Sequence, residues 1–256
     1  MKSVIAIANQ KGGVGKTTSA AALGITLSRQ GQAVHLIDVD PQADLTATFG
    51  QHDDNGLLFE ALSEQTELPV VQIENNLTLT PSSIELSRGE SVFLGAHGRE
   101  FLLQSSLAKT NLPDDCVVII DAPPSLGVLT VNCLAAADKL IVALHPGGYE
   151  VKALILLQQT LSELQQRINP NIELMGVILT NTDGRKKITS LVEQQVSNSY
   201  QLLGAVPQDS RLMYATSESK LVDLQNSPAL VAYDAIAKQI NTLLWEKTKT
   251  QQTSAA

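Results

Sequence analysis

Two cysteines in 256 residues, Cys116 and Cys133, are too few for a disulfide framework. Both stand in apolar contexts, and neither lies in a ligand cluster or a glycine-rich loop, so no iron–sulfur or structural metal role is expected of them. No stretch approaches the roughly eighteen consecutive apolar residues of a membrane span. The chain enters an apolar run by Ser3, which leaves no room for a cleaved leader, and the expected compartment is the cytoplasm. Basic residues are in deficit: 18 Lys and Arg against 26 Asp and Glu, a formal charge of −8. The protein is therefore not coated in positive field, and any nucleic-acid contact must be a local patch. Residues 181–256 hold eight Lys/Arg and seven Asp/Glu, a net of +1, which leaves −9 on the first 180 and points such a patch to the C-terminal third. Internal repeats and low-complexity linkers are missing too, apart from a polar tail, Lys249 to Ala256, expected to be disordered.

What the chain does have is 43% hydrophobic residues arranged as short β-branched runs alternating with longer helical patterns. The runs predict strands at 3–9, 33–38, 77–80, 116–120, 139–144, 173–180 and 202–206. Helical spacing predicts helices near 17–30, 56–64, 85–108, 128–136, 150–168, 188–199 and 228–247. Runs such as Val117-Val118-Ile119-Ile120 and Leu140-Ile141-Val142-Ala143-Leu144 are almost wholly apolar, as strands covered on both faces must be. The expected fold is α/β: one domain over 1–248, with a doubly wound, mostly parallel sheet flanked by helices. Ligands in such sheets bind beyond the carboxyl ends of the strands.

The first such end carries Lys11-Gly12-Gly13-Val14-Gly15-Lys16-Thr17-Thr18, directly after Val4-Ile5-Ala6-Ile7-Ala8 and before an Ala-rich helix. Glycines at 12, 13 and 15 let backbone N–H groups turn inward on a polyphosphate, and the following helix adds its unpaired N–H groups and positive dipole end. Lys16 is placed to reach the β- and γ-phosphates, and the Thr17 hydroxyl to ligate Mg²⁺. The reading is a P-loop nucleotide site, ATP with Mg²⁺. The spacing departs from G-x-x-x-x-G-K-T, because Gln10 stands where the first glycine belongs and a lysine occupies each end of the loop.

Strand two ends Leu36-Ile37-Asp38-Val39-Asp40-Pro41 and strand four ends Val118-Ile119-Ile120-Asp121-Ala122-Pro123. Asp38 and Asp40, two apart on an extended chain, are expected to point the same way, at the nucleotide end. Such a pair suits a magnesium–water shell and a water poised on a γ-phosphate; strand-end caps without chemistry are the alternative. Asp121, after four β-formers, suits a carboxylate beside Mg²⁺.

Taken together, Lys11 to Thr18, Asp38 to Asp44 and Ile120 to Ser125 resemble the ParA/MinD group of deviant Walker ATPases, and further stretches (Leu134 to Asp138, Pro207 to Leu212, Ala229 to Ile240) carry the likeness along nearly the whole chain. The resemblance implies that Lys11 is a signature lysine reaching across an ATP-sandwich homodimer to the partner's phosphates, the physics of a finger supplied in trans. It implies that Asp40 holds the attacking water with Asp38 near the metal, and that Asn181 and Pro207 contact the adenine. A ParA-like use implies an ATP dimer that binds nucleoid DNA without sequence preference and is reset by a cargo adaptor, ParB-like or McdB-like. Candidate phosphate contacts are Arg185, Lys186 and Lys187, equally readable as a solvated turn, with Arg211 and Lys220.

The stretch Leu144 to Lys152 departs from the partition pattern, as does Gln208 where an arginine is expected. Both leave room for a relative of the McdA type that positions carboxysomes. MinD-like membrane association would use Ile236, Ile240, Leu243 and Leu244 at helical spacing, with Trp245, Lys247 and Lys249 nearby, but packing on the sheet explains that stripe more simply, and no membrane partner is expected. A nitrogenase-type reductase would need a cysteine pair for its cluster, which this sequence lacks.

Overall fold

A computed structural model describes residues 2–147 and 161–253. Among them eight strands form one sheet: β1 (Ser3–Ala8), β2 (Val34–Asp38), β3 (Val71–Glu74), β4 (Leu77–Thr80), β5 (Val117–Asp121), β6 (Lys139–Leu144), β7 (Glu173–Thr182) and β8 (Leu202–Pro207), in the order β3-β4-β2-β5-β1-β6-β7-β8. Every pairing is parallel except β3 with β4, so the expected doubly wound sheet is present. Alternation assigns the two faces. Val4, Ala6, Val118 and Ile120 pack on one side with Leu103, Leu129 and Cys133. On the other, Ile5, Ile7, Val117 and Ile119 pack with Leu23, Ile25 and Leu27 of α1 (Lys16–Arg29) and Tyr233, Ile236 and Ile240 of α9 (Pro228–Thr253). Each fully buried aliphatic side chain contributes about 1.5–3 kcal/mol, so the central strands β5 and β1 anchor the fold.

The remaining helices are α2 (Asp44–Thr48), α3 (Leu57–Glu64), α4 (Gly89–Val92), α5 (Leu102–Lys109), α6 (Val128–Ala136), α7 (Lys187–Ser199) and α8 (Ser210–Ser217). Three differences from expectation have local causes. The helix expected over 85–108 is broken into 3-10 turns at Ile84–Arg88 and Phe93–Gly95, the single turn α4, and α5. Gly98 takes a left-handed φ of 64°, which stops a helix before α5, and the Phe93 ring occupies the space a side chain at 89 would need. β3 was not expected; its Val71 and Ile73 are only half-buried, on an antiparallel edge broken by a register shift between Gln72 and Glu74. α2 and α8 were not expected; α2, at five residues, is too short for a helical period to show.

Of the helix expected at 150–168, residues 161–167 are helical; positions 148–160, with the departing stretch from Gly148 to Lys152, lie outside the described residues. α9 continues past Lys249, where a disordered tail was expected to begin, because an established helix gains one bond per added residue. Positions 254–256 lie outside the described residues. Among the described residues no helix is long and apolar enough to cross a membrane. The stripe Ile236, Ile240 and Leu244 is buried on the sheet, as the packing explanation requires.

Candidate nucleotide site

β1 lies inside the sheet between β5 and β6, and the chain leaves it at Ala8 into the loop Asn9–Gly15. The Asn9 carboxamide fixes the start of that loop: its Nδ2 donates to the Ala143 carbonyl (2.7 Å), and its Oδ1 accepts the Lys11 N–H (3.0 Å). Gly13 and Gly15 hold left-handed φ angles of 69° and 84°, which a larger residue would resist. Gly15 is the N-cap of α1, and no side chain caps the helix nor is any acid present in its first turn. The first turn of this fourteen-residue helix thus presents uncapped N–H groups and a positive dipole end beside the glycines.

Charged side chains converge on this end. Lys16 is 6% exposed, and burial lowers its pKa while the charges of Asp121 and Asp40 work the other way. Asp38 and Asp121 are register partners on β2 and β5, so two carboxylates sit side by side inside the protein. Their surroundings differ. Asp38 Oδ2 accepts the Thr46 N–H (2.8 Å) and hydroxyl (2.6 Å), and its Oδ1 accepts the Asp40 N–H (3.2 Å). Burial still pushes its pKa up to about 7.

Asp121, 1% exposed, has no hydrogen bond of full geometry to either oxygen. Burial first, then the charge of Asp38, hold its carboxyl well above the usual range; the nearby Thr17 hydroxyl and Lys16 oppose that rise only in part. A buried carboxylate left unpaired is costly unless something else meets it. The donor set of Asp121 and the Thr17 hydroxyl is the all-oxygen kind Mg²⁺ takes, with the remaining positions left to water and phosphate. The site fits a magnesium nucleotide.

Asp40 is half-buried, and its Oδ1 accepts the Gln42 N–H (3.0 Å). Asp38 lies in the interior and Asp40 is half-buried, so the two carboxylates differ in exposure. Lys11 and Gly12 are exposed at the mouth of the loop. Asn181, with a left-handed φ of 51°, and Pro207 line a cavity of about 180 Å³ together with Gly15 and Thr18. The carboxyl ends of β7 and β8 thus form one wall of a pocket and the phosphate loop the other.

The basic candidates form two groups after neighbouring strands. Arg185 is paired with Asp183 (3.0 Å), with Lys186 and Lys187 exposed at the start of α7. Arg211 and Lys220 line an open surface cavity of about 610 Å³ with Tyr214 and Asp223. The Arg211 guanidinium is committed to the Gln225 and Asn226 carbonyls (3.0 and 3.4 Å), and the Lys220 ammonium lies 5.8 Å from the Tyr214 ring centroid.

Two contributors escaped the reading of the sequence. Thr46 holds Asp38. Asp209 accepts the N–H groups of Arg211 (2.9 Å) and Ala229 (3.1 Å), so one carboxylate caps both α8 and the start of α9 beside the cavity. The Asp209-Ser210 step before a short apolar pattern is a capping signal that could have found the first role.

Comparison with known proteins agrees with this geometry. A family model described as an AAA domain matches residues 2–174. The chromosome partitioning protein ParA of Myxococcus xanthus is 32% identical over 93% of this chain and 87% of its own length. The chromosome-partitioning ATPase Soj of Thermus thermophilus is 34% identical over 92% of this chain and 94% of its own. Among solved structures, cobyrinic acid a,c-diamide synthase from Mycobacterium smegmatis, with bound ATP analogue and magnesium, matches at TM-score 0.81 and 34% identity, covering 94% of this chain and 95% of that one.

Proposed function

This chain belongs to the ParA/Soj family of partition ATPases, and from that premise we propose that it binds ATP with Mg²⁺, closes into a homodimer around two nucleotides, holds nucleoid DNA in that state, and releases it when an adaptor protein stimulates hydrolysis. The observation that supports this most is the uncapped start of α1 beside Lys16 and the unpaired Asp121 carboxylate. The N–H groups and Lys16 would cradle the phosphates, and Thr17 and Asp121 would hold the metal, which supplies charge neutralisation at the transferring phosphoryl group. Asp38, already bonded within the protein, would position the Asp40 backbone and carry the second negative charge near the metal. Asp40 would orient the attacking water from the edge of the site. Asn181 and Pro207 would flank the base.

Lys11, at the mouth of the loop, would enter the partner's site, so that charge stabilisation arrives only on dimerisation. Arg185, Lys186, Lys187, Arg211 and Lys220 would contact phosphates, an array doubled in a dimer, which helps a protein whose overall charge opposes DNA. The same switch could carry a plasmid, a chromosome or a carboxysome-like body; the identity of the adaptor decides which. The diamide-synthase activity of the Mycobacterium structure is not carried over, because the same nucleotide cradle serves either chemistry.

The test is retention of the protein on non-specific duplex DNA with ATP and Mg²⁺, with ADP, and with no nucleotide. Retention with ATP alone, weakened by salt, supports the reading. Retention indifferent to nucleotide contradicts it.

A further inference from the structure

The phosphate loop is held from behind by a side chain outside every motif. Thr180, buried near the end of β7, donates its hydroxyl to the Val14 carbonyl at 2.6 Å, with the Leu144 carbonyl of β6 at 3.1 Å as a second acceptor. A trans peptide sets its C=O and the following N–H on opposite sides, and every described peptide here is trans. Pinning the Val14 carbonyl to the strand therefore turns the Gly15 N–H away from β7. The rest of the side chain acts on the same residue. A Cβ added at Gly15, whose φ is 84°, would lie 3.3 Å from the Thr180 Cβ and Cγ2, so the threonine also leaves little room for a side chain at position 15.

The neighbouring residues of β7 face the other wall of the site. The β7–β8 register slips between Leu179 and Thr182, and within that slip Asn181 takes its left-handed conformation at the cavity. Thr182 then donates to the Val206 carbonyl (3.1 Å) and accepts the Gln208 N–H (3.0 Å). Three consecutive residues thus tie phosphate loop, cavity and β8 to one strand end.

We propose that Thr180 is a positioning residue of the nucleotide site: its hydroxyl, by holding the Val14 carbonyl, aims the Gly15 N–H at the phosphates. The inference rests on the nucleotide reading above. A threonine that merely satisfies a loop carbonyl would affect stability and leave affinity alone, and the two roles separate in a titration.

The experiment measures the Kd of the full chain for a fluorescent ATP analogue with Mg²⁺ in wild type, T180V, T180S and T180A, with melting temperatures of the unliganded proteins alongside. T180V keeps the shape and removes the hydroxyl; T180S keeps the hydroxyl. An aimed donor to a charged group predicts a Kd about tenfold or more higher in T180V and within about twofold of wild type in T180S. A T180V affinity within twofold of wild type, even with a lowered melting temperature, overturns the proposal. So does a T180S affinity as weak as that of T180V, because then the methyl group does the work. If T180V fails to fold, T180S against T180A, which differ by one hydroxyl, carries the comparison, and equal affinities overturn it. A wild-type protein that does not bind the analogue defeats the nucleotide reading itself, a result distinct from tight wild-type binding that T180V leaves unchanged.

Discussion

His35 and Asp121 lie on neighbouring strands, β2 and β5, both in the interior, and the protein treats them in opposite ways. Both ring nitrogens of His35 meet hydroxyls of β4: Nδ1 the Thr78 Oγ1 at 2.8 Å and Nε2 the Thr80 Oγ1 at 3.0 Å. Burial, helped by the charge of Lys2, drives its pKa down to about 3, so the ring is neutral and complete. Asp121 has no well-formed hydrogen bond to either oxygen, only the Thr17 hydroxyl and Lys16 nearby, and a like charge beside it at Asp38. A buried group that is satisfied belongs to the fold; one left short beside Lys16 and Thr17 is a place where the fold gives up stability for a ligand. The same contrast separates Asp38, met by Thr46, from Asp121, its register partner.

Changes on the ligand side of this comparison should have the largest effects. Lys16→Ala removes the buried cation facing the phosphates and should weaken ATP binding by about a hundredfold or more, read by titration with a fluorescent analogue. Asp121→Asn should split stability from function. Relieving the carboxylate pair should raise the unliganded protein's stability by about 1–3 kcal/mol while Mg²⁺-dependent hydrolysis collapses. Denaturant unfolding and phosphate release check the two halves, and an unliganded protein less stable than wild type would break the contrast.

On the fold side the prediction concerns pH. The folded pKa of His35 is about 3 and the unfolded value about 6.5, so between them the unfolded chain binds a proton that the native protein refuses. Stability should therefore be full above pH 6.5 and fall as pH is lowered through that window, at up to about 1.4 kcal/mol per pH unit from this group. His35→Gln should flatten the slope in urea melts taken between pH 4 and 7. The smallest effect is expected at the surface. Arg185→Glu or Lys187→Glu should leave ATP binding intact and lower DNA retention several-fold, with a salt dependence shallower by about one phosphate contact. Arg185 should show the lesser change of the two, because Asp183 already pairs with it.

Much of this was legible in the chain. Wherever a strand is covered on both faces, as at Val117–Ile120, composition alone marks it, and a carboxylate or glycine loop at its end then marks the site. Lys16 and the Thr17 hydroxyl lie beside Asp121. Position within the fold was less visible. Asp38 and Asp40 read alike in sequence, yet one is enclosed by Thr46 from α2, a five-residue helix with no period to detect. Thr180 carries no signal, because its role depends on β7 lying against a loop 166 positions earlier. Asp209 caps α9 across twenty residues, a contact that only the folded chain creates. Local patterns reveal elements and loops; the partners that hold them come from tertiary packing.

Sedimentation of the full chain with ATP and Mg²⁺, beside Lys11→Ala, tests the central claim most directly. A wild-type dimer that reverts to monomer with ADP, and a variant that binds ATP yet stays monomeric, is the predicted result. A wild-type protein that remains monomeric with saturating ATP and Mg²⁺ contradicts it.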